Sequence, residues 1–488
     1  MTTVAEDTRW QMLPQLTPHK LQRVGAFALA ELGGCDRLGE LTAETFHTAV
    51  QTMTSDVAAT AGASTAKDHV LLAYSHCLWP NSPVNHPTRA KLTIPQRKQR
   101  IQTWRTPPEP ADWPGVPCAL CGRGACGFYG KVDVPLGASI SHRNTTTPGH
   151  EGMALCVGCW ASFHAVVYAS VLEGGRATVL HSWDEEFLAR VTATQVAKTR
   201  RILMLGSITT LSGSYVREQL ALHRVREFNR PVAADVELLI FSNSNKEQTL
   251  DCRVLTEPAA RWLQTTAWHP QRREAFGFLQ RACYTAKVSG SALLARLLFT
   301  TPQRLPARIA TYVTTDLQEN IREETIPLAE LGRSYLVEVL MAPRENVERI
   351  TALAERLAQV IINQDATTEL KKFQVSFRKP RRLREWLRAQ RERHYLAATA
   401  AITADGASTG SARRPQEAFM DSADLWLLFN PAPESDSWLY REQLHTDTLA
   451  ALLRHGWSID PATAREALDY SQTPSDDADG VADDVEQP

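Results

Sequence analysis

The feature that most constrains this chain of 488 residues is a pair of Cys-x-x-Cys steps, Cys118–Cys121 and Cys156–Cys159, separated by 34 residues. Two intervening residues let both thiolates of a knuckle turn toward one cation. Two such knuckles complete a tetrahedral shell, with zinc–sulfur bonds of about 2.3 Å. Gly122 and Gly158 stand where knuckles need permissive backbone. The stretch between the pairs is rich in Gly and Pro and needs only short strands, because the ion organises it. Cys126, His142 and His150 are nearby residues able to substitute for one of the four ligands.

Four thiolates leave no open position for water, so the expected cofactor is one structural Zn2+ per chain rather than a catalytic ion. A disulfide reading competes, and compartment decides between them. The opening MTTVAEDTRW has neither the basic nor the apolar region of a secretory signal, and no run of about 18 apolar residues reads as a membrane span. The expected location is the cytoplasm, where thiols stay reduced and paired cysteines serve metals more often than disulfides. Cys35, Cys77, Cys252 and Cys283 stand singly and read as small core residues.

The expected fold is α+β. A mixed N-terminal domain over residues 1–300 carries a zinc ribbon at about 118–160, a helical bundle covers 301–470, and a disordered acidic tail covers 471–488. Thr17-Pro18 reads as the entry to a helix through Leu32, with Gly33-Gly34 as its stop, and a second helix runs over about 43–53. The apolar run after Cys159 reads as one helix stopped by Gly174-Gly175. A short strand over Thr178–His181 follows, with Ser182 as the cap of the next helix. Val236–Phe241 is the clearest strand, ending in a polar turn at Ser242–Asn245. Later segments read as helices, among them Val347–Ile362 and Arg381–Tyr395, with a loop over 397–415.

A net charge of −1 conceals segregation. Arg89, Lys91, Arg97, Lys98, Arg100 and Arg105 fall within one stretch that has no acidic residue, and ten basic residues face two acidic ones between Lys371 and Arg393. Such blocks suit a surface that meets phosphate. On the helix entered at Pro380, Arg381, Arg384, Arg388 and Arg391 fall within an arc of about 80°, with Leu383, Trp386 and Leu387 opposite. The apolar face should dock inward while the arginines face outward.

HNH-type nucleases also build on paired knuckles, and Asp133 and Asn144 lie between these two. However, Val134 follows Asp133 where an adjacent histidine would activate water. Phosphate-loop, nucleophile-elbow and zinc-protease signatures are likewise missing from the sequence. The chain reads as non-enzymatic. A zinc-dependent HNH-like nuclease or a free-standing zinc-ribbon DNA-binding regulator stays open as the alternative.

The order of features over residues 15–250 resembles a known family. It comprises the helix around Val24–Leu32, the segment Trp79-Pro-Asn-Ser-Pro-Val-Asn-His-Pro87, a basic stretch, Cys118-Ala-Leu-Cys-Gly122 and Val134-Pro-Leu-Gly137. Asn144, Gly152-Met-Ala-Leu-Cys-Val-Gly-Cys159, His181-Ser182 and the strand ending Phe241-Ser-Asn243 complete it. This is similar to the large subunit of a type I-B CRISPR surveillance complex (Cascade). The resemblance implies a non-catalytic subunit beside the guide RNA and other Cascade subunits. Such a subunit inspects target double-stranded DNA for the protospacer-adjacent motif, helps open the strands and recruits a helicase-nuclease. It also implies a C-terminal bundle like the complex's small subunits, whose arginine face would hold the displaced strand. In some systems that bundle is made separately from an internal start; Met341 is the methionine suitably placed here, or else it fills core space. Candidate base readers are Asn81, Ser82 and Asn85, carried on a loop stiffened by Pro83 and Pro87. Arg97, Lys98 and Arg100 are candidate phosphate contacts.

Overall fold

The computed structural model describes residues 12–138, 152–206, 213–315, 322–364, 366–405 and 419–457. The chain divides into two units, Met1–Arg261 and Trp262–Pro488.

In the first unit, helix α1 (Lys20–Leu32) is buried on nearly every side. His19 caps it by accepting from the Gln22 amide, and Gly33 ends it, followed by Gly34 at φ 75°. The expected cap, Thr17, instead donates its hydroxyl to Gln22 Oε1 at 2.8 Å. Helix α2 (Ala43–Ala59) runs one and a half turns further than its sequence suggests, because Val57 and Ala58 are also buried. Helix α3 (Ile94–Trp104) carries the first basic stretch and starts at a Thr93/Gln96 capping box.

Strands β1 (Gly127–Tyr129) and β2 (Met153–Leu155) pair antiparallel, with Gly127 opposite Leu155. Helix α4 (Val157–Ala165) follows directly and packs on α1. The two helices approach so closely at Gly25 that a Cβ there would lie 1.8 Å from the Ser162 carbonyl oxygen. The expected long helix after Cys159 stops early, at Ala165. A single tight turn (Val166–Ala169) leads into β3 (Val171–Glu173), and Gly174-Gly175 make the hairpin to β4 (Arg176–Ser182). Both glycines have positive φ, as a tight hairpin turn requires.

Helix α5 (Glu185–Leu205) is capped by Asp184, which accepts from the Phe187 amide, and not by Ser182, whose hydroxyl accepts from the Asp184 amide. After α6 (Val216–Glu227), strand β5 (Val236–Asn243) runs between β4 and β6 (Gln248–Leu255) in the sheet β3-β4-β5-β6. Every residue of β5 is buried, so both of its faces are covered. β6, which the sequence reading missed, alternates exposed and half-buried positions along its length, as an edge strand does.

Helix α7 (Glu257–Trp268) contains the division between the units. The second unit continues through α8 (Pro270–Ala282), α9 (Gly290–Thr300), α10 (Leu305–Thr315) and α11 (Thr325–Glu338). It ends with α12 (Arg344–Asn363), α13 (Ala366–Phe377), α14 (Pro380–Asp405), α15 (Ser422–Phe429) and α16 (Ser437–Arg454). Its described residues form helices around α16, which α10, α11 and α12 cover. An expected boundary at residue 300 assigned α8 and α9 to the first domain. The structure groups them with the second, where Arg272 of α8 pairs with Glu338 of α11 at 2.6 Å. α14 continues helical to Asp405 where a loop from 397 was expected; the remainder of that loop and the acidic tail lie outside the described residues. Met341 does not fill core space: it is 71% exposed, at φ 57°.

Mixed helix with small sheets is thus the overall character. Among the described residues no helix is long and apolar enough to cross a membrane.

Candidate metal centre

The two knuckles reach one point from different supports. The first sits in a turn bridged by Pro117 and Gly124, where the Gly122 amide donates to the Cys118 carbonyl at 2.9 Å. Gly122 has φ 76°, the left-handed conformation that favours glycine. The Ala119 amide donates to the Ala154 carbonyl at 2.8 Å, anchoring this turn to β2. The second knuckle is the start of α4, with Cys156 as N-cap and its sulfur accepting from the Cys159 amide at 3.4 Å. Gly158 serves a different purpose from Gly122. A Cβ there would come 2.5 Å from the Leu13 carbonyl oxygen, so it is glycine for close approach rather than for φ.

The ligand atoms of Cys118, Cys121, Cys156 and Cys159 all lie within 4.8 Å of one another, and Cys121 Sγ is 3.5 Å from Cys156 Sγ. A tetrahedron with bonds of about 2.3 Å has sulfur–sulfur edges of about 3.8 Å, so the cluster fits one metal ion. Cys118, Cys156 and Cys159 are buried and Cys121 is half-buried. Four thiols this close together suit a divalent cation, which would hold them all as thiolates, since coordination deprotonates thiols outright.

Cys126 stands apart from this cluster. Its thiol donates to the Leu155 carbonyl at 3.3 Å, and burial pushes it up to about 11, so it stays protonated and structural. His142, His150 and Asn144 lie outside the described residues. Asp133, the other residue of the nuclease reading, accepts from Trp104 Nε1 at 2.8 Å and lies 3.1 Å from His164 Nε2. His164 is buried beside Trp160, and burial lowers it to about 4, so it is a neutral core histidine. Next to this group Arg105 is 2% exposed, sandwiched 4.4 Å from the Trp79 ring centre and 4.2 Å from that of Trp104.

Asn243, at the end of β5, ties these segments together. It is fully buried, donates to the Leu78 carbonyl at 3.2 Å and the Lys131 carbonyl, and accepts from the Leu136 amide at 3.1 Å and Gln248 Nε2 at 2.6 Å. Asn245 donates to Asn81 Oδ1 at 2.9 Å. Sequence reasoning treated Asn243 as part of a motif and had no signal for its role, because its partners, the Gln248 side chain apart, are main-chain groups distant in sequence.

The candidate base readers separate. Asn81 is exposed, at φ 63°. Ser82 is fully buried, its hydroxyl accepting from the Val84 amide, and as folded it is out of reach of a base edge. Asn85 is half-buried and donates to the Trp79 carbonyl at 3.1 Å, which closes the loop. On α3, Lys98 and Arg100 are exposed, whereas Arg97 is half-buried and donates to the Arg89 carbonyl at 3.0 Å.

In the second unit α14 has the two faces its sequence indicates. Arg381, Arg384, Arg388 and Arg391 are exposed. Leu383 and Leu387 are fully buried, and the Trp386 ring packs 5.2 Å from that of Phe373. Glu369 absorbs part of the surrounding charge, pairing with Lys372 at 2.8 Å and Arg393 at 3.5 Å.

No family model matches the chain, and no curated protein or solved structure does either.

Proposed function

We propose that the four cysteines hold a structural Zn2+ in a zinc-ribbon element of the first unit, and that the chain is the non-catalytic large subunit of a type I-B Cascade complex. In this reading it acts in the cytoplasm with guide RNA and the other Cascade subunits. It recognises the protospacer-adjacent motif in target DNA, supports strand opening and recruits the helicase-nuclease. The second unit is its small-subunit-like helical bundle, with the arginine face of α14 against the displaced strand.

The observation that carries this reading is the convergence at Asn243. Three separate segments of the resemblance meet there: the loop after Leu78, the stretch Lys131–Leu136 and the end of β5. Segments distant in sequence are tied together by one buried side chain, which favours one composite element over unrelated turns. Asn81, Lys98 and Arg100 are the exposed candidates for the DNA side of that element. The nuclease alternative loses support because Asp133 is committed to Trp104 and the buried His164.

The test is purification of the full chain from its native cell and extraction of bound nucleic acid. The reading expects an RNA of one repeat length together with other Cascade subunits. A chain that carries no RNA and binds DNA alone would fit the free-standing regulator instead. Mass spectrometry of the same material checks the internal start: a fragment beginning at Met341 supports separate production of the bundle.

A further inference from the structure

Tyr395 lies one helical turn beyond Arg391 on α14. With an advance of about 100° per residue, it falls in the middle of the arc occupied by Arg381, Arg384, Arg388 and Arg391. It is 72% exposed. The opposite face, Leu383, Trp386 and Leu387, is buried in its own unit. At the edge of the arc Glu385 lies 3.6 Å from Arg381, whereas Arg384, Arg388 and Arg391 form no ion pair among the described residues. The outward side therefore presents a row of guanidiniums ending in an aromatic ring, with Glu385 and the exposed Glu392 at its margin and axial intervals of about 4.5–6 Å between successive members from Arg384 on.

We propose that this face takes a single-stranded polynucleotide, with Tyr395 stacking on a base while the arginines hold the phosphates. The proposal rests on the reading of α14 as the contact for a displaced strand and adds the residue that tells a strand with bases from a bare polyanion. Arginines alone are satisfied by any polyanion. An aromatic ring within their arc is useful only to a partner that offers a π face beside each charge. A duplex keeps its bases stacked inside. An acidic polypeptide supplies charge without regular π faces. An anionic membrane needs an apolar face to insert, and that face of α14 is already buried.

The experiment uses the full chain and two strands of equal length, oligodeoxythymidylate and an abasic strand that keeps the phosphates but lacks bases. The native chain should prefer the thymidylate strand by about fivefold or more, the lower end expected for one stacked base. Tyr395→Ala should erase most of that preference and leave the salt dependence unchanged, and Tyr395→Phe should restore it. Replacing Arg384, Arg388 and Arg391 with Ala should weaken both strands alike and flatten the salt dependence. If Tyr395→Ala keeps the full preference while the arginine triple variant loses affinity, stacking is overturned and the nucleic-acid reading of α14 survives. If the triple variant binds both strands as before, that underlying reading falls. Phosphatidylserine vesicles that bind the native chain but not the triple variant, with strand binding intact, would assign the face to a lipid surface and overturn the proposal.

Discussion

Around the four cysteines the described chain forms a turn, two strands of three residues each and the start of the short helix α4, whereas α14 runs unbroken from Pro380 to Asp405. Up to the start of α4, the first region buries mostly small side chains, among them Cys118, Ala125, Cys126, Val134, Ala154 and Cys156, with Leu155 the largest. α14 buries Leu383, Trp386 and Leu387 and leaves its charges in water. In the proposed reading one region depends on a cation to fix its geometry, and the other depends on an amphipathic stripe. Losing the organising element should therefore produce opposite patterns of damage in the two.

The largest effect is expected from the metal. Stripping it with a chelator, or replacing Cys118 with Ser, removes a large share of a site worth roughly 10 kcal/mol. Amides around β1, β2 and α4 should lose protection from hydrogen exchange, while those of α12 and α16 keep theirs. Metal analysis of the folded, reduced protein should give one zinc per chain. Simultaneous loss of protection in both units would break the comparison, and zinc-free folded protein would remove its basis.

The mirror-image variant is Trp386→Ala. Truncating a buried tryptophan costs about 3–5 kcal/mol, here felt where its ring meets Phe373. Denaturant unfolding should show the second unit weakened, with zinc content unchanged. A normal unfolding curve would mean that α14 is not held by its apolar stripe.

Below these lies a change in binding without a change in fold. Each phosphate contact to a single strand adds about 0.7 to the salt slope of log affinity. The Arg384, Arg388, Arg391 triple alanine variant should therefore lose about two units of slope on all matched targets, with stability within about 0.5 kcal/mol of the native chain. An unaltered affinity and slope would leave the face merely solvated.

How much of this was legible in the sequence depends on how local each determinant is. The four ligands were legible because the two-residue spacing within each knuckle is itself the geometry. The faces of α14 were legible because helical periodicity places Leu383 and Arg384 without reference to the rest of the chain. The loop roles of Ser82 and Asn85 were not legible for the opposite reason. Ser82 accepts from the Val84 amide and Asn85 donates to the Trp79 carbonyl within the same loop, and composition cannot distinguish a turn-forming polar group from a waiting one. The helix expected after Cys159 failed because continuous apolar sequence has no period, so the tight turn at Val166 and the hairpin at Gly174-Gly175 left no mark in it. β6 was missed since its charged residues, Asp251 and Arg253, disguise an edge strand. Asn243 had no local signature at all.

The smallest effect concerns acid. Inside α16, His445 is lowered to about 4 by burial and its ring stacks 4.2 Å from that of Phe377. Asp447, fully buried, is raised to about 6 by burial despite Arg333 at 2.8 Å, and burial raises Glu442 to about 7. The signs oppose one another. A histidine with a depressed folded pKa costs stability as pH falls below its unfolded value of about 6.5, because the unfolded chain takes up the proton first. A carboxyl with a raised folded pKa gains stability over the same fall, because the folded chain takes up the proton first. Between pH 7 and 5 the histidine loss is about 2 kcal/mol and the two carboxyls together gain about 3 kcal/mol, so the stability of the second unit should rise by about 1 kcal/mol. His445→Gln removes the losing side, so the variant should become more stable by about 1–2 kcal/mol relative to the native chain as the buffer is taken from pH 7 to 5. The metal centre has no such offset, since protons compete directly for its thiolates and acid should only loosen it. Denaturant midpoints for the second unit, measured at both pH values beside zinc release from the first, test this contrast. If His445→Gln shows no gain on acidification, His445 is not held neutral in the fold.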